Sequence, residues 1–579
     1  MLRRLFILSS VALLATQVAI AEPIPYEEAL RKAQRLLARN IWSVGVTPIK
    51  PRRIIKEHTM EEKPAYYIFN ADGGNGFVII AGDDLFPELI GYSDHGTITQ
   101  DGEMPDALEH YLDLYAQFVQ KVRSGETQAP KFVRRANGES LGTPVVGPLL
   151  TAQWGQGSPY NLLCPNTGNK RAPVGCVATA MSQIMYYWKW PNQGKGYMSY
   201  SSKYGTLSSD FSSHTYDWSI LTDKVTDKSS DEAKAMVSQI CYDCGVAIKM
   251  DYQSSASGSF SDRLLTALYT YFSYRPSTLR YYYRDCMNNE DEWENIIKKE
   301  LNEGRLVQME GTSSINERLG HAFVLDGYDS NSYFHVNWGA YGEFDGYYDM
   351  NVMNMGQYQF DIGQGILVGI EPNHDGVEER RMQVPVYLEN PLTTTWKQRK
   401  VNQFFSVSIG GIYNIYSDGH GFTLGVGLYD ARGNFIADVS QDSNSKTFYW
   451  AGHSGYSPFG SLSCKLTEEV IAQCTAGNYV LRLLSKEQGY DEWMWPDVVG
   501  GSNNNKIPVY IHDGLLDFNQ YAPSPAEDVN NDLVVDSQDV LQVYTAIRNG
   551  VKDGREDVNK DGIIDSQDVL TIYAYIISH

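Results

Sequence analysis

A cysteine and a histidine, far apart in a chain of 579 residues, each lie in a local sequence that suits thiol chemistry. Cys176 directly precedes the run Val177 to Trp188, whose apolar residues recur at helical spacing. The sequence therefore predicts a buried helix that begins at Cys176. Unpaired amide groups and the positive end of the helix dipole favour a thiolate at that position. A small cysteine at a helix start more often packs in a core, so this signal alone is not specific.

His321 is the second residue with a chemical context. Residues 320–328 alternate like a strand, 329–332 read as a turn and 333–339 return, which predicts a hairpin with the histidine at its mouth. A histidine held on a strand can form an ion pair with a cysteine and later protonate a leaving amine. Asn337 and Trp338 are both candidates for the group that orients its ring. The alternative is that His321 merely ends a strand.

Three segments carry a resemblance to a known family. Residues 175–180 (GCVATA), 320–327 (GHAFVLDG) and 335–339 (HVNWG) resemble the motifs of the streptopain family, papain-like cysteine peptidases of bacteria. The resemblance implies an α+β, papain-like fold, peptide-bond hydrolysis in protein substrates by Cys176 and His321, and no cofactor for catalysis. The family commonly has a Trp-Gly-Trp-Gly pattern, whereas this chain reads Trp-Gly-Ala-Tyr-Gly over 338–342, which predicts different substrate contacts.

The same resemblance implies roles for residues around this pair. Residues 156–161 (QGSPYN) are similar to the segment that carries the family's oxyanion-hole glutamine, which assigns that role to Gln156, with Gln153 as the alternative. Residues 250–252 and the serine-rich loop after them resemble the family's substrate-side loop. We therefore expect substrate contacts at Ser257 and Ser259, and Gly320 leaves room for substrate backbone beside the histidine.

Two regions precede the predicted peptidase domain, which spans residues 140–372. Residues 1–21 combine two arginines, an interrupted apolar run and an Ala-Ile-Ala ending, which predicts a removable export signal rather than a membrane span. Residues 22–139 resemble the propeptide of the family, with a helix at each end and strands between. We expect this pro-domain to inhibit the enzyme until cleavage within 131–135. The export signal and the resemblance to a bacterial family together predict that a bacterium secretes the product.

The charge and the cysteines narrow the possibilities further. A net charge of -22 and a pI near 4.9 argue against nucleic acid and anionic membranes as partners. Seven cysteines are consistent with one free thiol and up to three bridges, whose pairing the sequence does not choose. Cys241 and Cys244 have the spacing of a zinc or redox motif, but they fall in a predicted helix without a second ligand pair, so buried thiols are favoured.

The C-terminal third has two further predicted parts. Residues 373–518 contain short alternating segments typical of a β-sandwich, and 519–526 are a proline-stiffened linker. Residues 527–579 contain a twelve-residue acidic segment that recurs 29 positions later, each followed by a helical pattern. Oxygen ligands stand at the spacing of an EF-hand loop, which predicts two Ca²⁺ sites. Their ligands would be Asp528, Asn530, Asp532, Val534, Asp536, Asp539, Asp557, Asn559, Asp561, Ile563, Asp565 and Asp568.

This arrangement of loop followed by helix resembles a dockerin module and implies a cohesin-like docking partner. Leu533 replaces the usual glycine of the first loop, which weakens that site. The sequence as a whole thus predicts a secreted zymogen with a pro-domain, a papain-like peptidase, a β-sandwich and a small all-α calcium module. The alternatives are a non-catalytic adhesin that retains the peptidase fold and another acyl-transfer enzyme that uses a cysteine and a histidine.

Overall fold

The structure is a computed structural model, and it describes most of the chain from Pro23 to Ser578. The described residues are 23–38, 46–48, 64–98, 104, 106–126, 140–284, 290–313, 316–350, 364–377, 386–388, 390–414, 418–441, 447–452, 454–488, 505–519, 526–530, 535–551 and 554–578. The predicted export signal, the predicted cleavage segment and most of the predicted linker lie outside these residues.

The helices of the described chain include each helix that the sequence predicted. The helix that begins at Cys176, the two helices of the pro-domain and the two C-terminal helices are confirmed. In chain order the helices are α1 (Tyr26–Ala38), α2 (Asp106–Arg123), α3 (Cys176–Trp188), α4 (Asp231–Ala247), α5 (Arg263–Phe272), α6 (Glu290–Asn302), α7 (Glu468–Ile471), α8 (Ser537–Asn549) and α9 (Ser566–Ser578).

The strands fall in the pro-domain, the peptidase region and the predicted sandwich. They are β1 (Val46–Pro48), β2 (Tyr66–Ala71), β3 (Phe77–Ala81), β4 (Leu89–Ser93), β5 (Pro144–Val146), β6 (Tyr197–Ser202), β7 (Gly205–Asp210), β8 (Arg280–Tyr283), β9 (Val307–Ser313), β10 (Asn316–Asp329), β11 (Phe334–Asn337), β12 (Gly346–Tyr348), β13 (Gly365–Val368), β14 (Val386–Leu388), β15 (Gln398–Lys400), β16 (Phe404–Ile409), β17 (Ile412–Asn414), β18 (His420–Asp430), β19 (Phe435–Asp438), β20 (Thr447–Trp450), β21 (Gly455–Tyr456), β22 (Gly460–Lys465), β23 (Gly477–Glu487), β24 (Ile507–His512) and β25 (Leu515–Phe518).

The chain divides into two compact units. The first contains residues up to 193, 197–259 and 298–364, and the second contains 194–196, 260–297 and 365–579. The predicted pro-domain and most of the predicted peptidase domain therefore fall in the first unit. The predicted sandwich and C-terminal module fall in the second, and the predicted domain boundaries stay predictions.

In the first unit, the pro-domain is a sheet covered by helices on both faces. Strands β1 to β4 pair antiparallel in sequence order, and every residue of β3 and β4 is buried. Tyr67 and Val78 pack in one cluster with α1, while the Tyr66 ring lies 6.3 Å from the Tyr115 ring of α2. Burial on both faces explains why these strands read as continuous apolar runs rather than as alternating ones.

The pro-domain sheet continues directly into the sheet of the peptidase region. Strand β4 pairs antiparallel with β12, and the order then continues through β11, β10 and β9. Strand β5 pairs antiparallel with the last residues of β10, next to the hairpin turn. The predicted hairpin is confirmed as β10 and β11. Helix α3 packs against β10 and α4, and its residues from Val177 to Tyr186 are buried. The helix and the strand that carry the two candidate residues thus share one core.

The second unit contains the predicted sandwich. Its larger sheet has the order β15, β25, β24, β23, β18, β19, with β20 also paired to β18, and smaller sheets join β14, β17 and β21, and β16 and β22. Alternate residues of these strands form a single apolar cluster that includes Val407, Val426, Leu481 and Val509. The alternating pattern of the sequence is therefore confirmed as a set of half-buried strands.

The C-terminal module repeats its core as it repeats its sequence. Val540 and Val543 of α8 and their counterparts 29 positions later, Val569 and Ile572 of α9, belong to one buried cluster. Each helix begins directly after its acidic segment, and Asp536 caps α8 through a capping box with Asp539. The two copies therefore form one small helical core.

The described cysteines and helices test two expectations. Cys164, Cys176, Cys241, Cys244, Cys464 and Cys474 are all free, so none of the bridges that the sequence left open forms among them, and Cys286 lies outside the described residues. The buried thiols favoured for Cys241 and Cys244 are confirmed. Within the described chain, no helix is long and apolar enough to cross a bilayer.

The junction between β4 and β12 generates a prediction about stability. A Cβ atom on Gly91 would lie 2.5 Å from a ring atom of the buried Tyr348, so Gly91→Ala overpacks the junction. In a Cys176→Ala background, which prevents self-cleavage, we expect a loss of about 1–3 kcal/mol in the free energy of unfolding, measured by chemical denaturation. Gly147→Ala is the matched control because its Cβ would meet open space. Equal stability of the two variants would show that the junction is not tightly packed.

Candidate active site

Cys176 is the first residue of α3 and follows a glycine that the turn requires. Gly175 has φ 93°, a conformation that other residues rarely adopt, and a Cβ atom there would lie 2.6 Å from Met250 Cε. The turn therefore delivers the thiol to the start of a buried helix while leaving no room for a larger residue before it. This is the placement that the sequence predicted for a nucleophile.

His321 lies on β10, the strand against which the helix that begins at Cys176 packs. The backbone amide of Ala322, the next residue on the strand, lowers the pKa of the Cys176 thiol. His321 itself pairs with Gly311 of β9 and is half-buried. The fold thus brings together the start of α3 and the strand position of the histidine, although the two residues are 145 positions apart in the sequence.

The electrostatics of the pair favour neutral groups. Burial raises the pKa of the Cys176 thiol, the amides of Ala322 and Val177 oppose that shift, and the Glu310 carboxylate adds to it. Burial also lowers the pKa of His321 to about 4. At neutral pH these shifts favour a thiol beside an uncharged imidazole rather than the thiolate that the helix start alone predicts. Loss of solvation therefore outweighs the helix start in the state that includes the pro-domain.

Gln156 lies alongside the turn that leads into α3. Its backbone carbonyl accepts a hydrogen bond from the Val174 amide at 2.9 Å, two residues before Cys176. Gln153 points elsewhere: its side chain is exposed and covers Gly342, where a Cβ would lie 2.6 Å from Gln153 Cγ. Of the two glutamines, Gln156 has the position that favours the oxyanion role.

Asn337 makes hydrogen bonds that hold the core of the site together. Its Nδ2 donates to the Ala152 carbonyl at 2.8 Å, and its Oδ1 accepts from Gln183 Nε2 at 3.1 Å and from the Gly339 amide at 3.0 Å. Both lone pairs of the amide oxygen are therefore occupied by α3 and the following turn. These partners favour a structural role, and orientation of His321 by Asn337 stays a prediction without support from its contacts.

Trp338 covers the part of β10 that carries the histidine. Its ring centroid lies 5.0 Å from that of Phe323 and 5.0 Å from that of Tyr348. Because residues two apart on a strand share a face, Phe323 and His321 project to the same side of β10. Trp338 is thus the better placed of the two candidates for restricting the imidazole. Tyr111 of the pro-domain also reaches Trp338, with ring centroids 6.2 Å apart.

The two serines of the substrate-side loop make hydrogen bonds inward. Ser257 is buried, and its hydroxyl donates to the Pro173 carbonyl at 2.7 Å, while the Ser259 hydroxyl donates to the Ile248 carbonyl. The structure therefore gives both side chains a bracing role beside the turn before Cys176, and their contact with substrate stays a prediction. Gly320 pairs with Thr312 of β9 directly before the histidine, and its role in leaving room for substrate stays a prediction.

The sequence did not reveal a set of polar contacts between the pro-domain and the peptidase region. The Tyr92 hydroxyl donates to Asp329 Oδ2 at 2.7 Å, Ser93 Oγ donates to the Asp345 carbonyl at 2.6 Å, and the Tyr111 hydroxyl donates to the Asp349 carbonyl at 2.9 Å. The only hint of these contacts in the sequence was the presence of tyrosines within apolar runs. Their partners are more than 230 positions away, so no local pattern could identify them.

A buried acid lies behind this junction. Asp345 accepts a hydrogen bond from the Trp338 amide at 3.0 Å, and burial raises the pKa of Asp345 to about 7, although His335 opposes the shift. His335, another buried residue, is hydrogen-bonded to Asp326, which in turn accepts from the Leu150 amide at 3.0 Å. The backbone of Trp338 is therefore hydrogen-bonded to an acid whose charge changes near neutral pH.

In the two acidic segments, carboxylates of the described residues accept hydrogen bonds from backbone amides of their own loop. Asp557 accepts from the Asp561 and Gly562 amides, and the buried Asp568 accepts from the Val558, Asn559 and Asp565 amides. In the described chain no three acidic, histidine or cysteine side chains converge as a metal site. Gly562 nevertheless has φ +86° at the sixth loop position, as such a loop requires. Asp532 and Val534 lie outside the described residues.

Comparison with known proteins identifies two matching families. The model of the peptidase C10 family matches residues 154–348, and the model of the Spi protease inhibitor matches residues 21–119. Streptopain of Streptococcus pyogenes serotype M28 (strain MGAS6180) is 31% identical over 334 residues, which are 53% of this chain and 80% of streptopain. The peptidase C10 model covers Gln156, Cys176, His321, Asn337 and Trp338.

Two further relatives extend the comparison. The thiol protease/hemagglutinin PrtT of Porphyromonas gingivalis is 31% identical over 391 residues, 64% of this chain but only 44% of PrtT, so the chain spans less than half of that relative. A solved fragment of prointerpain A from Prevotella intermedia is 27% identical and covers 57% of this chain and 100% of the fragment, with a TM-score of 0.47.

The resemblance seen in the sequence is therefore confirmed for the peptidase and the pro-domain, and the dockerin-like module stays a prediction. Four fifths of streptopain is matched at 31% identity, and the inhibitor model matches the region that precedes the peptidase model. The chain belongs to the peptidase C10 family of thiol proteases and carries an inhibitor-family pro-domain.

Proposed function

We propose that the chain is the exported zymogen of a bacterial cysteine endopeptidase in which Cys176 is the nucleophile and His321 the general acid and base. The observation that carries this proposal is the placement of Cys176 at the start of the buried helix α3, which packs against β10, the strand that carries His321. Family membership supports the reaction class, and it disfavours both the non-catalytic adhesin and other acyl transfers to amines.

The reaction then proceeds by two acyl transfers. Cys176 loses its proton to His321 and attacks the scissile carbonyl, which forms a C–S bond and places negative charge on the carbonyl oxygen. The Cys176 amide and the Gln156 side chain stabilise that oxygen. His321 protonates the leaving amine as the C–N bond breaks. Water, deprotonated by His321, then cleaves the thioester, releases the carboxylic acid and restores the thiol.

The pro-domain is proposed to keep the pair inactive through the sheet it shares with the peptidase. Tyr111 packs on Trp338, and β4 pairs with β12, which borders the loop of Trp338. Removal of the pro-domain would expose this edge and change the surroundings of Trp338 and His321. Added access of water would relieve the burial that now opposes the charged thiolate and imidazolium.

The C-terminal module is proposed to bind Ca²⁺ and a docking partner. All-oxygen side chains and the left-handed Gly562 fit a hard cation, and Asp557, Asn559, Asp561, Asp565 and Asp568 would hold it together with the Ile563 carbonyl. The bound cation would offset the repulsion between these carboxylates and order the loops. It would take no part in peptide hydrolysis.

Exposed apolar residues support a docking role for this module. Leu541 and Tyr544 of α8 are 59% and 52% exposed, and Leu570 and Tyr573, 29 positions later on α9, are 57% and 44% exposed. Each pair is three residues apart, so its side chains lie on one face of the helix. Two matching apolar patches of this kind suit a cohesin-like protein partner.

The catalytic assignment predicts loss of casein cleavage in two variants. Cys176→Ala and His321→Ala should each lower kcat by at least about 10³-fold, because the first removes the nucleophile and the second its proton carrier. Mass spectrometry of new amino termini in casein gives the readout. Cys474→Ala, another free cysteine, should retain activity. Fresh termini at the wild-type yield in Cys176→Ala, or amine incorporation instead of cleavage, would contradict the assignment.

The buried acid predicts a pH dependence of zymogen stability. The pKa of Asp345 is raised to about 7 in the folded chain, so its contribution is fully present below the ordinary carboxyl pKa near 4 and is lost as pH rises through about 7. In the Cys176→Ala zymogen, the Tm should fall between about pH 5 and pH 8. Asp345→Asn should flatten that slope, whereas Asp251→Asn, at an exposed carboxylate, should not. An unchanged slope in Asp345→Asn would exclude this acid as the source.

The calcium proposal predicts a response confined to the C-terminal module. Addition of EGTA to the full chain should lower the Tm of a separate calorimetric transition, because a ligand at 100 times its Kd stabilises the folded state by about 2.7 kcal/mol. Casein cleavage by the processed enzyme should not change. Asp568→Asn should abolish the response, and Glu556→Gln, outside the loop ligands, should preserve it. A thermogram unaffected by the chelator would refute calcium binding.

A further inference from the structure

Tyr341 occupies an unusual backbone position in the loop that follows Trp338. Its φ of 61° is left-handed, which a large aromatic residue rarely adopts. The conformation is held from both sides: the Tyr341 amide donates to the Trp154 carbonyl at 3.0 Å, and the Tyr341 carbonyl accepts from Lys224 Nζ at 2.9 Å. These contacts direct the phenol ring toward the segment that contains Gln156.

The phenol contacts both neighbours of Gln156. The Gly157 amide donates to the Tyr341 hydroxyl at 2.8 Å, and a Cβ atom on Gly157 would lie 2.6 Å from that oxygen. A Cβ atom on Gly155 would lie 2.4 Å from Tyr341 Cζ, so the ring lies directly against this glycine. The ring of Tyr160 packs on Tyr341 with centroids 6.0 Å apart. The phenol therefore rests on one glycine and accepts a hydrogen bond from the other.

The opposite side of this segment is attached to the turn before the nucleophile. The Gln156 carbonyl accepts from the Val174 amide at 2.9 Å, two residues before Cys176. The backbone of residues 155–157 is thus held between the phenol and that turn. Since the backbone on both sides of Gln156 is fixed, the origin of its side chain is fixed relative to Cys176.

We propose that Tyr341 is a positioning residue that holds Gln156 ready to stabilise the oxyanion. It touches no reacting atom and acts by keeping the donor in place before the substrate arrives, which is the condition under which such donors are most effective. This inference rests on the proposed oxyanion role of Gln156. It also gives a function to the departure at 340–341, where the chain has Ala-Tyr in the position of the second tryptophan of the family pattern.

The test compares Tyr341→Phe, Gln156→Ala and the double variant in the full chain after self-processing, with kcat normalised to titrated active sites. Tyr341→Phe keeps the ring on Gly155 and removes only the acceptor of the Gly157 amide, so we expect kcat to fall about tenfold at unchanged KM. Gln156→Ala should lower kcat by about 10²-fold or more. The double variant should equal Gln156→Ala, because the tyrosine acts only through the glutamine.

A second measurement separates positioning from general damage to the site. A peptide aldehyde forms an oxyanion with the cysteine, so its Kd should weaken about tenfold in Tyr341→Phe. Alkylation of Cys176 by iodoacetamide forms no oxyanion, and its rate should not change. Tyr187→Phe is the matched control: its hydroxyl donates to the Gly304 carbonyl near the far end of α3, about 16 Å along the helix from Cys176, and it should behave as wild type.

The outcomes distinguish the two levels of the proposal. Wild-type kcat in Gln156→Ala would overturn the oxyanion role and the inference with it. A loss in Gln156→Ala without a loss in Tyr341→Phe would overturn the inference alone. Additive losses in the double variant, or equal slowing of alkylation and aldehyde binding in Tyr341→Phe, would also overturn it, since the tyrosine would then act independently of Gln156.

Discussion

Burial of a thiol and an imidazole where α3 meets β10 is the constraint on which the rest of the site depends. Both charged forms lose solvation there, which raises the pKa of Cys176 and lowers the pKa of His321 to about 4. The amides of Ala322 and Val177 offset part of that cost for the thiolate. Loss of solvation therefore opposes the charged pair, and added donors or water at the site would favour it.

The pro-domain is attached next to this site, where Tyr111 packs on Trp338, and the nature of its attachment explains how it can be both firm and removable. It adds strands to the peptidase sheet through β4 and β12, so its hold depends on backbone pairing as well as on tyrosine hydroxyls that reach buried acceptors. Close packing at Gly91 and Gly346 leaves no room for side chains at this junction. Once the covalent connection is cut, such an edge pairing can separate without unfolding the peptidase core.

Local sequence was sufficient for the elements but not for their contacts. The apolar spacing after Cys176 predicted α3, and the alternation around His321 predicted the β10 and β11 hairpin, because both signals depend on neighbours along the chain. Asn337 bonds to Gln183 and Ala152, 154 and 185 positions away, and no local pattern specifies such partners. The same holds for Tyr341 and Gly157, 184 positions apart, and for Ser257, whose inward hydroxyl looked available for substrate. Seven cysteines suggested bridges, yet the six that are described pack as separate thiols.

We propose that His321 activates Cys176. Labelling of the processed enzyme by an epoxide of the E-64 type, located by mass spectrometry, tests it most directly because the epoxide reacts with an activated thiol. We expect a single adduct on Cys176 that forms about 100-fold more slowly, or not at all, in His321→Ala. An adduct on a different cysteine, or equally fast labelling of Cys176 without the imidazole, would contradict it.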